Sequence, residues 1–383
     1  MIYLDQAASS FPKPNAVAEA VGKAINEYGA NPGRSGHRLA RQASETVDLA
    51  RRELSDFVQG PPAERVLFFQ NATQAINQAI FGLGLSEGDH VVATVYEHNA
   101  VRRPLEWLKA EKNIEVTYLR PDDKGNFSIG SLKEAVRPET RLVAVTHGSN
   151  VTGAVIPVNE WGRYLKDQEL FFLVDASQTA GVLDIQMKDW HIDLLAFPGH
   201  KGLLGPQGTG VLMTGIGVRL QPILFGGTGS HSADPLQPDV WPEGFQSGTL
   251  NTPGIAGLLA GLQEVKRIGM AEIRQHEEKL TARLLAGLSD IPDVSVYYAG
   301  TPERLGVVSF SLRGTDVHEV AMILDEHYDI AVRAGFHCAP LAHRELKTED
   351  SGLMRVSTGP YNTEEEIDTF LNALREIREG LAE

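Results

Sequence analysis

The sequence of 383 residues contains a single cysteine, Cys338, so neither an internal disulfide nor a cysteine-rich zinc site can form, and no metal site is expected. No apolar run approaches the ~18 residues that a membrane-spanning helix needs, and the first residues lack the basic start and apolar stretch of a secretory signal. Internal repeats and low-complexity tracts are also lacking, which excludes repeat architectures. We therefore expect a soluble protein of the reducing cytoplasm.

Positive charge is scarce as well. The 35 Lys and Arg residues are outnumbered by 50 Asp and Glu residues, which gives a formal net charge of −15. Nucleic-acid phosphates and anionic lipids repel such a chain, so we expect neither a nucleic-acid nor a membrane partner. The fractions of hydrophobic (42%) and charged residues (22%) are ordinary for a globular protein and exclude general disorder.

Short apolar runs alternate with helical patterns over residues 64–215. Apolar runs without polar alternation, separated by helices, are typical of a mostly parallel sheet that is covered on both faces. Strands are predicted over 66–69, 91–95, 142–146 and 170–174, and helices over 72–85, 100–112 and 159–167.

The rest of the chain has a different character. Residues 217–252 are rich in Gly and Pro and predict an irregular loop. The last hundred residues predict a small α/β unit. That unit contains strands predicted over 294–298 and 307–312 and helices over 316–326 and 364–378, and two further helices are predicted before it, over 254–268 and 271–288.

Polar side chains follow the apolar runs, where ligands bind in open α/β sheets. Asp175 ends a very apolar strand, so its carboxylate is expected to meet either a ligand cation or a salt-bridge partner within the fold. Thr73 lies between a strand and a helix, where it would bind an anion or simply cap the helix. Lys201 lies among glycines, where a partly desolvated amine can form a Schiff base, although most lysines are ordinary surface residues.

Cys338 lies in a polar, glycine-containing loop. A lone cysteine is often a small buried apolar residue. Here the neighbouring His337 and the nearby Arg333 are expected to favour the thiolate over the neutral thiol.

The order of these residues resembles that of the class V aminotransferases, which are pyridoxal 5'-phosphate (PLP) enzymes, and specifically the cysteine desulfurases. The resemblance implies an α/β protein of PLP-dependent transferase fold type I, with a mostly parallel seven-stranded sheet in a large domain and a small C-terminal α/β domain. Together with the change in sequence pattern along the chain, the resemblance predicts three parts. They are an N-terminal segment 1–15 that packs with the small domain, a large domain 16–270 and a small domain 271–383. The motifs that carry the resemblance are 3–8, 71–77, 97–98, 149–153, 174–178, 199–201, 247–253, 333–338 and 354–357.

The resemblance also implies roles in cofactor binding. Lys201 would form the Schiff base with PLP and later move the α-proton of the substrate. Asp175 would keep the pyridine nitrogen protonated, and His98 would stack on the ring and act in catalysis. The resemblance further implies that Ala72, Thr73 and His200 bind the PLP phosphate and that Gln178 and Asn150 lie near the ring hydroxyl. It also implies a homodimer, in which Thr249 of one subunit contacts the phosphate bound by the other.

One position departs from the family pattern. Many relatives carry a hydroxyl residue two places before the His of the Gly-His-Lys motif, whereas this chain has Pro198. Proline offers neither a hydroxyl nor a backbone N–H. We therefore expect the phosphate to depend more on Thr73, His200 and Thr249.

The resemblance implies L-cysteine as the substrate. Arg355 would bind its α-carboxylate, with a buried structural salt bridge as the alternative, and Asn150, Arg333 and His337 would contribute further contacts. Cys338 would take the sulfur as a persulfide while alanine leaves. The Arg-x-Gly-x-His-Cys loop resembles the short-loop group, in which a sulfur-acceptor protein must reach the persulfide.

Three other functions share these residues. A selenocysteine lyase would use the same site, and a transaminase or β-lyase of this fold would leave Cys338 without a role. A non-catalytic scaffold is disfavoured because Lys201, Asp175, His98 and Arg355 are costly to bury without chemistry. Iron–sulfur cluster assembly and other sulfur pathways would all use the same site, so the sequence does not identify the acceptor.

Overall fold

The computed structural model describes residues 1–33, 35–231 and 233–380. The strands are β1 (Ile2–Tyr3), β2 (Val66–Phe69), β3 (His90–Thr94), β4 (Glu115–Leu119), β5 (Thr140–Thr146), β6 (Phe171–Asp175), β7 (Leu194–Pro198), β8 (Gly210–Thr214), β9 (Val294–Val296), β10 (Val307–Leu312), β11 (Ile330–Ala331), β12 (Arg333–Gly335) and β13 (Leu353–Ser357). The helices are α1 (Asn15–Tyr28), α2 (Arg38–Phe57), α3 (Ala72–Gly82), α4 (Asn99–Lys112), α5 (Ile129–Ala135), α6 (Val158–Leu165), α7 (Thr252–Ile268), α8 (Met270–Ser289), α9 (Val317–Tyr328), α10 (Pro340–Leu346) and α11 (Glu364–Gly380).

The main sheet has seven strands in the order β2-β8-β7-β6-β5-β3-β4. Strands β3 to β7 pair in parallel, and only β8 runs antiparallel to its neighbours β7 and β2. Alternate residues of β5 enter two separate cores, Val143 and Val145 on one face and Leu142 and Ala144 on the other. Because both faces are covered, the strand has no polar alternation, and the predicted mostly parallel α/β sheet is confirmed.

A second, antiparallel sheet has the order β12-β13-β10-β9 and packs with α8, α9 and α11. The start of the chain joins this part, because β1 pairs in parallel with β11 and Leu4 is buried in the same core. The proposed domain boundaries at 15/16 and 270/271 stay predictions, and residues 381–383 of the predicted small domain lie outside the described residues.

Some elements have no counterpart among the segments predicted from sequence. One of them is α2, which buries Ala40, Ala43 and Ala50 together with Val47 and Leu54 on its inward face. Strand β4 at the sheet edge is only partly buried. The irregular segment over 217–252 contains a single short 3₁₀ turn, Glu243–Phe245, among its described residues. No described helix combines the length and apolar character that crossing a membrane requires.

The contact between β8 and α3 gives a prediction about stability. A Cβ atom at Gly210 would overlap the backbone carbonyl group of Asn71, the residue that caps α3. Because backbone has to move to relieve this overlap, we expect Gly210→Ala to lower the free energy of unfolding by about 3 kcal/mol. Chemical denaturation would measure the change.

Gly217→Ala is the matched control, because a Cβ atom at Gly217 has no neighbour within 4 Å. It should change stability by less than about 1 kcal/mol. Equal effects of the two substitutions would contradict the close contact between β8 and α3.

Candidate active site

A cavity of about 220 Å³ lies where the carboxyl ends of the main sheet meet residues of the second sheet. The segments after β2, β3, β5, β6 and β7 all reach it, because those strands run in one direction. The second sheet contributes side chains from β12 and β13. The predicted site residues that line the cavity are Ala72, Thr73, His98, Asn150, Asp175, Gln178, His200, Lys201, Arg333, His337 and Arg355.

Asp175 ends β6 and its side chain is buried. Its Oδ1 atom accepts hydrogen bonds from the backbone N–H of Ser177 at 2.9 Å and from the Ser177 hydroxyl at 2.5 Å. These bonds orient the carboxylate toward the cavity edge and make Ser177 part of the site. The sequence prediction left Ser177 without a role, although the Asp-x-Ser spacing is typical of a local turn of this kind.

Lys201 follows the Gly-His motif after β7, and its amine has no hydrogen-bond partner among the residues the structure describes. Burial lowers its pKa to about 8, and the negative charge of Asp175 opposes this shift. A substantial fraction of the amine is therefore neutral near pH 8 and able to act as a nucleophile or a base.

Two of the three imidazoles that line the cavity, those of His98 and His200, have lowered pKa values. The Nδ1 atom of His98 accepts a hydrogen bond from the N–H of Ala100 at 3.0 Å, and burial lowers the pKa of this ring. Burial, and then the charges of Lys201 and Lys13, lower the pKa of His200 to about 4. The Nδ1 atom of His200 is buried without a partner in the described structure.

Arg355 on β13 is almost completely buried, at 1% exposure. Its Nη2 atom pairs with Oδ1 of Asp5 at 2.5 Å, and Nη1 donates to the backbone carbonyl of Asn150 at 3.0 Å. The Nε atom has no partner in the described structure. The structural salt bridge considered from the sequence is therefore present, and the same guanidinium lines the cavity.

Asp5 is a site residue that the sequence prediction quoted in a motif without a role. Its only sequence signal is an acidic residue directly after a short apolar strand. Its partner is 350 residues away, so local pattern could not identify the pair.

The loop that carries the thiol has an uncommon backbone. His337 and Cys338 both have positive φ, at 49° and 59°, which L-residues adopt at an energetic cost. Two hydrogen bonds hold this conformation. The carbonyl of His337 accepts from Asn150 Nδ2 at 2.6 Å, and the carbonyl of Cys338 accepts from the N–H of Asn99 at 2.8 Å.

His337 does not supply the positive charge that the sequence prediction expected beside the thiol. Its ring is buried, neither ring nitrogen has a partner among described residues, and burial lowers its pKa to about 2. The prediction that this imidazole favours the thiolate is therefore wrong. The nearby cation is Arg333, whose Nη2 atom lies 3.7 Å from Sγ of Cys338.

Cys338 is exposed and lies outside the cavity, in an adjoining groove of about 460 Å³. Thr73, His98 and Ala100 line both the groove and the cavity. The thiol is therefore at the mouth of the cavity and open to the surface.

Two positions leave the phosphate end of the predicted site incomplete within one chain. Thr249 is exposed and away from the cavity, where its hydroxyl accepts a hydrogen bond from Asn31 Nδ2 at 3.4 Å. Pro198 lines the cavity and has no N–H to donate.

The cavity thus contains a helix N-terminus, which can bind an anion, and a carboxylate, which can pair with a protonated nitrogen. It also contains an amine, which can react with a carbonyl group, and two guanidinium groups, which can bind a carboxylate. Among the described residues, no group of three or more His, Cys, Asp or Glu side chains is placed to hold a metal ion.

The comparisons with known proteins agree with this chemistry. The family model "Aminotransferase class-V" matches residues 2–370. A protein named "Probable cysteine desulfurase" from Methanothermobacter thermautotrophicus is 38% identical over 98% of this chain and 94% of its own length. The apo structure of a cysteine desulfurase from Thermococcus onnurineus superposes with a TM-score of 0.92 at 35% identity, covering 99% of this chain and 95% of that one. The cysteine desulfurase CsdA from Escherichia coli superposes with a TM-score of 0.87 at 26% identity, covering 98% and 94% of the two chains. This chain belongs to the class V aminotransferase family.

Proposed function

We propose that this protein is a PLP-dependent cysteine desulfurase that converts L-cysteine to L-alanine and holds the sulfur on Cys338 as a persulfide. The observation that carries the proposal is the position of the exposed thiol at the mouth of the cavity that contains Lys201. The relatives named above as cysteine desulfurases cover nearly the whole chain, which supports the same activity.

Enzymes of this family use PLP, and the residues of the cavity fit that group. The α3 N-terminus at Ala72 and Thr73 and the unpartnered Nδ1 of His200 suit the phosphate, and Gln178 and Asn150 offer amides toward the ring. Asp175 suits the protonated ring nitrogen, and Lys201 suits the aldehyde. When bound, the cofactor supplies an electron-withdrawing ring that stabilises negative charge at the α-carbon of an amino acid.

The residues of the chain then have separate tasks. Arg355, with Arg333 beside it, binds the α-carboxylate of the amino acid, and the neutral amine of Lys201 takes up the α-proton. His98, whose Nδ1 atom accepts a hydrogen bond from the Ala100 N–H, lines the same cavity and would stack on the cofactor ring. His337 is neutral and buried, so its contribution to substrate binding is packing rather than charge.

Sulfur transfer requires the thiolate of Cys338, and the Nη2 atom of Arg333 lies 3.7 Å from its Sγ atom. The thiolate attacks the sulfur of the substrate, and an S–S bond forms as the C–S bond breaks. The electron pair of the broken bond stays with the β-carbon, which takes up a proton and becomes the methyl group of alanine. The exposed position of the persulfide suits its transfer to a thiol acceptor, which we propose is another protein.

The phosphate end suggests that the active unit is a homodimer. Within one chain, Thr249 lies away from the cavity and Pro198 cannot donate a hydrogen bond. A second chain that brings its own Thr249 to this cavity would complete the phosphate site. The cytoplasmic location stays a prediction.

Removal of the Cys338 thiol tests the sulfur-transfer step. Cys338→Ala should reduce sulfide and alanine release from L-cysteine by more than about a hundredfold, because no other thiol is present to take the sulfur. The visible absorbance of bound PLP should be unchanged, since Cys338 lies outside the cavity. Sulfide and alanine are measured together with a reductant present.

Retention of desulfuration in Cys338→Ala would contradict the persulfide step. If the wild-type protein binds PLP but releases alanine only from L-selenocysteine, selenocysteine lyase becomes the better assignment.

The neutral fraction of the Lys201 amine should make PLP capture depend on pH. With a pKa of about 8, about a tenth of the Lys201 amine is neutral at pH 7, against about 0.03% for an unperturbed lysine. Covalent capture of PLP by the cofactor-free protein should therefore accelerate about tenfold per pH unit below pH 8 and level off above it. Rapid-mixing absorbance measurements between about pH 6 and about pH 10 would follow this. A rate that keeps rising to pH 10 would contradict a lowered pKa.

Replacement of Arg355 tests its contact with the substrate carboxylate. Arg355→Lys keeps a positive charge but loses the planar fork, so KM for L-cysteine should rise about tenfold to a hundredfold, with a smaller change in kcat. Arg304→Lys is the control, because Arg304 is a partly buried arginine outside the cavity that binds only backbone carbonyls. Steady-state kinetics would separate the two. An unchanged KM in Arg355→Lys would remove Arg355 from the carboxylate site.

A further inference from the structure

Lys13 is a half-buried cation held by neutral groups. Its Nζ atom donates to the backbone carbonyl of His200 at 2.8 Å and to the hydroxyl of Ser10 at 2.6 Å. The lysine ion pairs among the described residues are Lys266–Glu53 and Lys279–Glu364, and none involves Lys13. Burial lowers its pKa to about 8, so the ammonium form still predominates at neutral pH. A cation in such surroundings is costly, which indicates that the position requires it.

Several hydrogen-bond donors surround the backbone carbonyl oxygen of His200. Besides Lys13, it lies within hydrogen-bond distance of the Ser10 N–H at 3.0 Å, the Ser10 hydroxyl at 3.2 Å and the Ser9 hydroxyl at 3.3 Å. A carbonyl oxygen has two lone pairs, and of these donors the ammonium group is the closest and the only charged one. Lys13 therefore makes the strongest single contact to this oxygen.

The bonded carbonyl belongs to the peptide that directly precedes Lys201. The plane of this peptide contains the N and Cα atoms of Lys201, so a bond that holds its carbonyl restricts the position from which the Lys201 side chain starts. The side chain of His200, on the other side of the same peptide, lines the cavity with its unpartnered Nδ1. The contact thus acts on both residues of the Gly-His-Lys motif that face the cavity.

The segment that carries Lys13 is itself anchored at the other side of the cavity. Asp5 pairs with Arg355, the N–H of Ala7 donates to the Ser357 hydroxyl at 2.9 Å, and the carbonyl of Ala7 accepts from Gln178 at 3.1 Å. Residues 5–13 therefore connect the arginine on β13 with the peptide before Lys201.

We propose that Lys13 is a positioning residue for Lys201, which holds the His200–Lys201 peptide through its ammonium group so that the Lys201 amine is presented to PLP. This rests on the proposed PLP function. Lys13 does not line the cavity, so it acts through His200 and not by touching the cofactor.

The test measures covalent capture and retention of PLP by the cofactor-free protein, with no amino acid present. Lys13→Met should slow capture and speed loss of PLP on dilution, each about tenfold or more, because a charge-assisted hydrogen bond is lost. Lys23→Met is the matched control, since Lys23 is an exposed lysine on α1. It should behave as the wild type does.

Chemical rescue separates positioning from a loss of stability. In a Cys338→Ala background, Lys13→Cys introduces the only thiol of the chain, which 2-bromoethylamine converts to an amine isosteric with lysine and iodoacetamide converts to a neutral amide. The amine form should recover PLP capture to within about threefold of Cys338→Ala, and the amide form should not.

Equal capture by the amine and amide forms, or wild-type capture by Lys13→Met, would overturn the proposal and leave the proposed function intact. If wild-type protein fails to capture PLP, the proposed function itself fails. The two failures are therefore distinguishable.

Discussion

The arrangement of the site depends on the burial of one charge. A guanidinium with 1% exposure needs a partner, because an unpaired buried charge costs several kcal/mol. Arg355 finds its partner in Asp5, at the start of the chain, and a further acceptor in the carbonyl of Asn150, after a strand of the main sheet. One side chain therefore connects three parts of the molecule. Ala7 and Ala8 line the cavity, so the start of the chain, where β1 pairs with β11, forms part of the cavity wall.

Burial separates the remaining charged groups of the cavity into those that can lose their proton near neutral pH and those that keep it. The pKa values of Lys201, His98 and His200 are all lowered, so these groups are partly or fully neutral at physiological pH. Arginine keeps its charge under the same conditions, so Arg333 and Arg355 remain cations. Groups that can gain or lose a proton thus lie beside groups that cannot. This separation suits a reaction in which a carboxylate stays bound while protons move.

Local sequence patterns predict strands and the polar residues that follow them. They do not predict contacts between residues that are far apart in the sequence. Asp175 and Lys201 were identifiable because parallel strands place the residues that follow them at one edge of the sheet. The pairing of Asp5 with Arg355 joins residues 350 positions apart, which no local pattern indicates. The neutrality of His337 depends on its ring being buried in the folded loop, so its position beside the thiol suggested a charge that is absent. The main sheet was predictable because its strands are buried on both faces, which leaves continuous apolar runs.

The single exposed cysteine has a consequence for how sulfur is stored. On the proposed function, each chain offers one thiol, that of Cys338, to accept sulfur. No second thiol of the same chain can attack a persulfide on Cys338 and close a disulfide, the route by which a resolving cysteine discharges a neighbouring sulfur. A persulfide on this protein therefore has no internal decay through thiol exchange. On the proposed function, its discharge by thiol exchange would require a thiol from outside the chain.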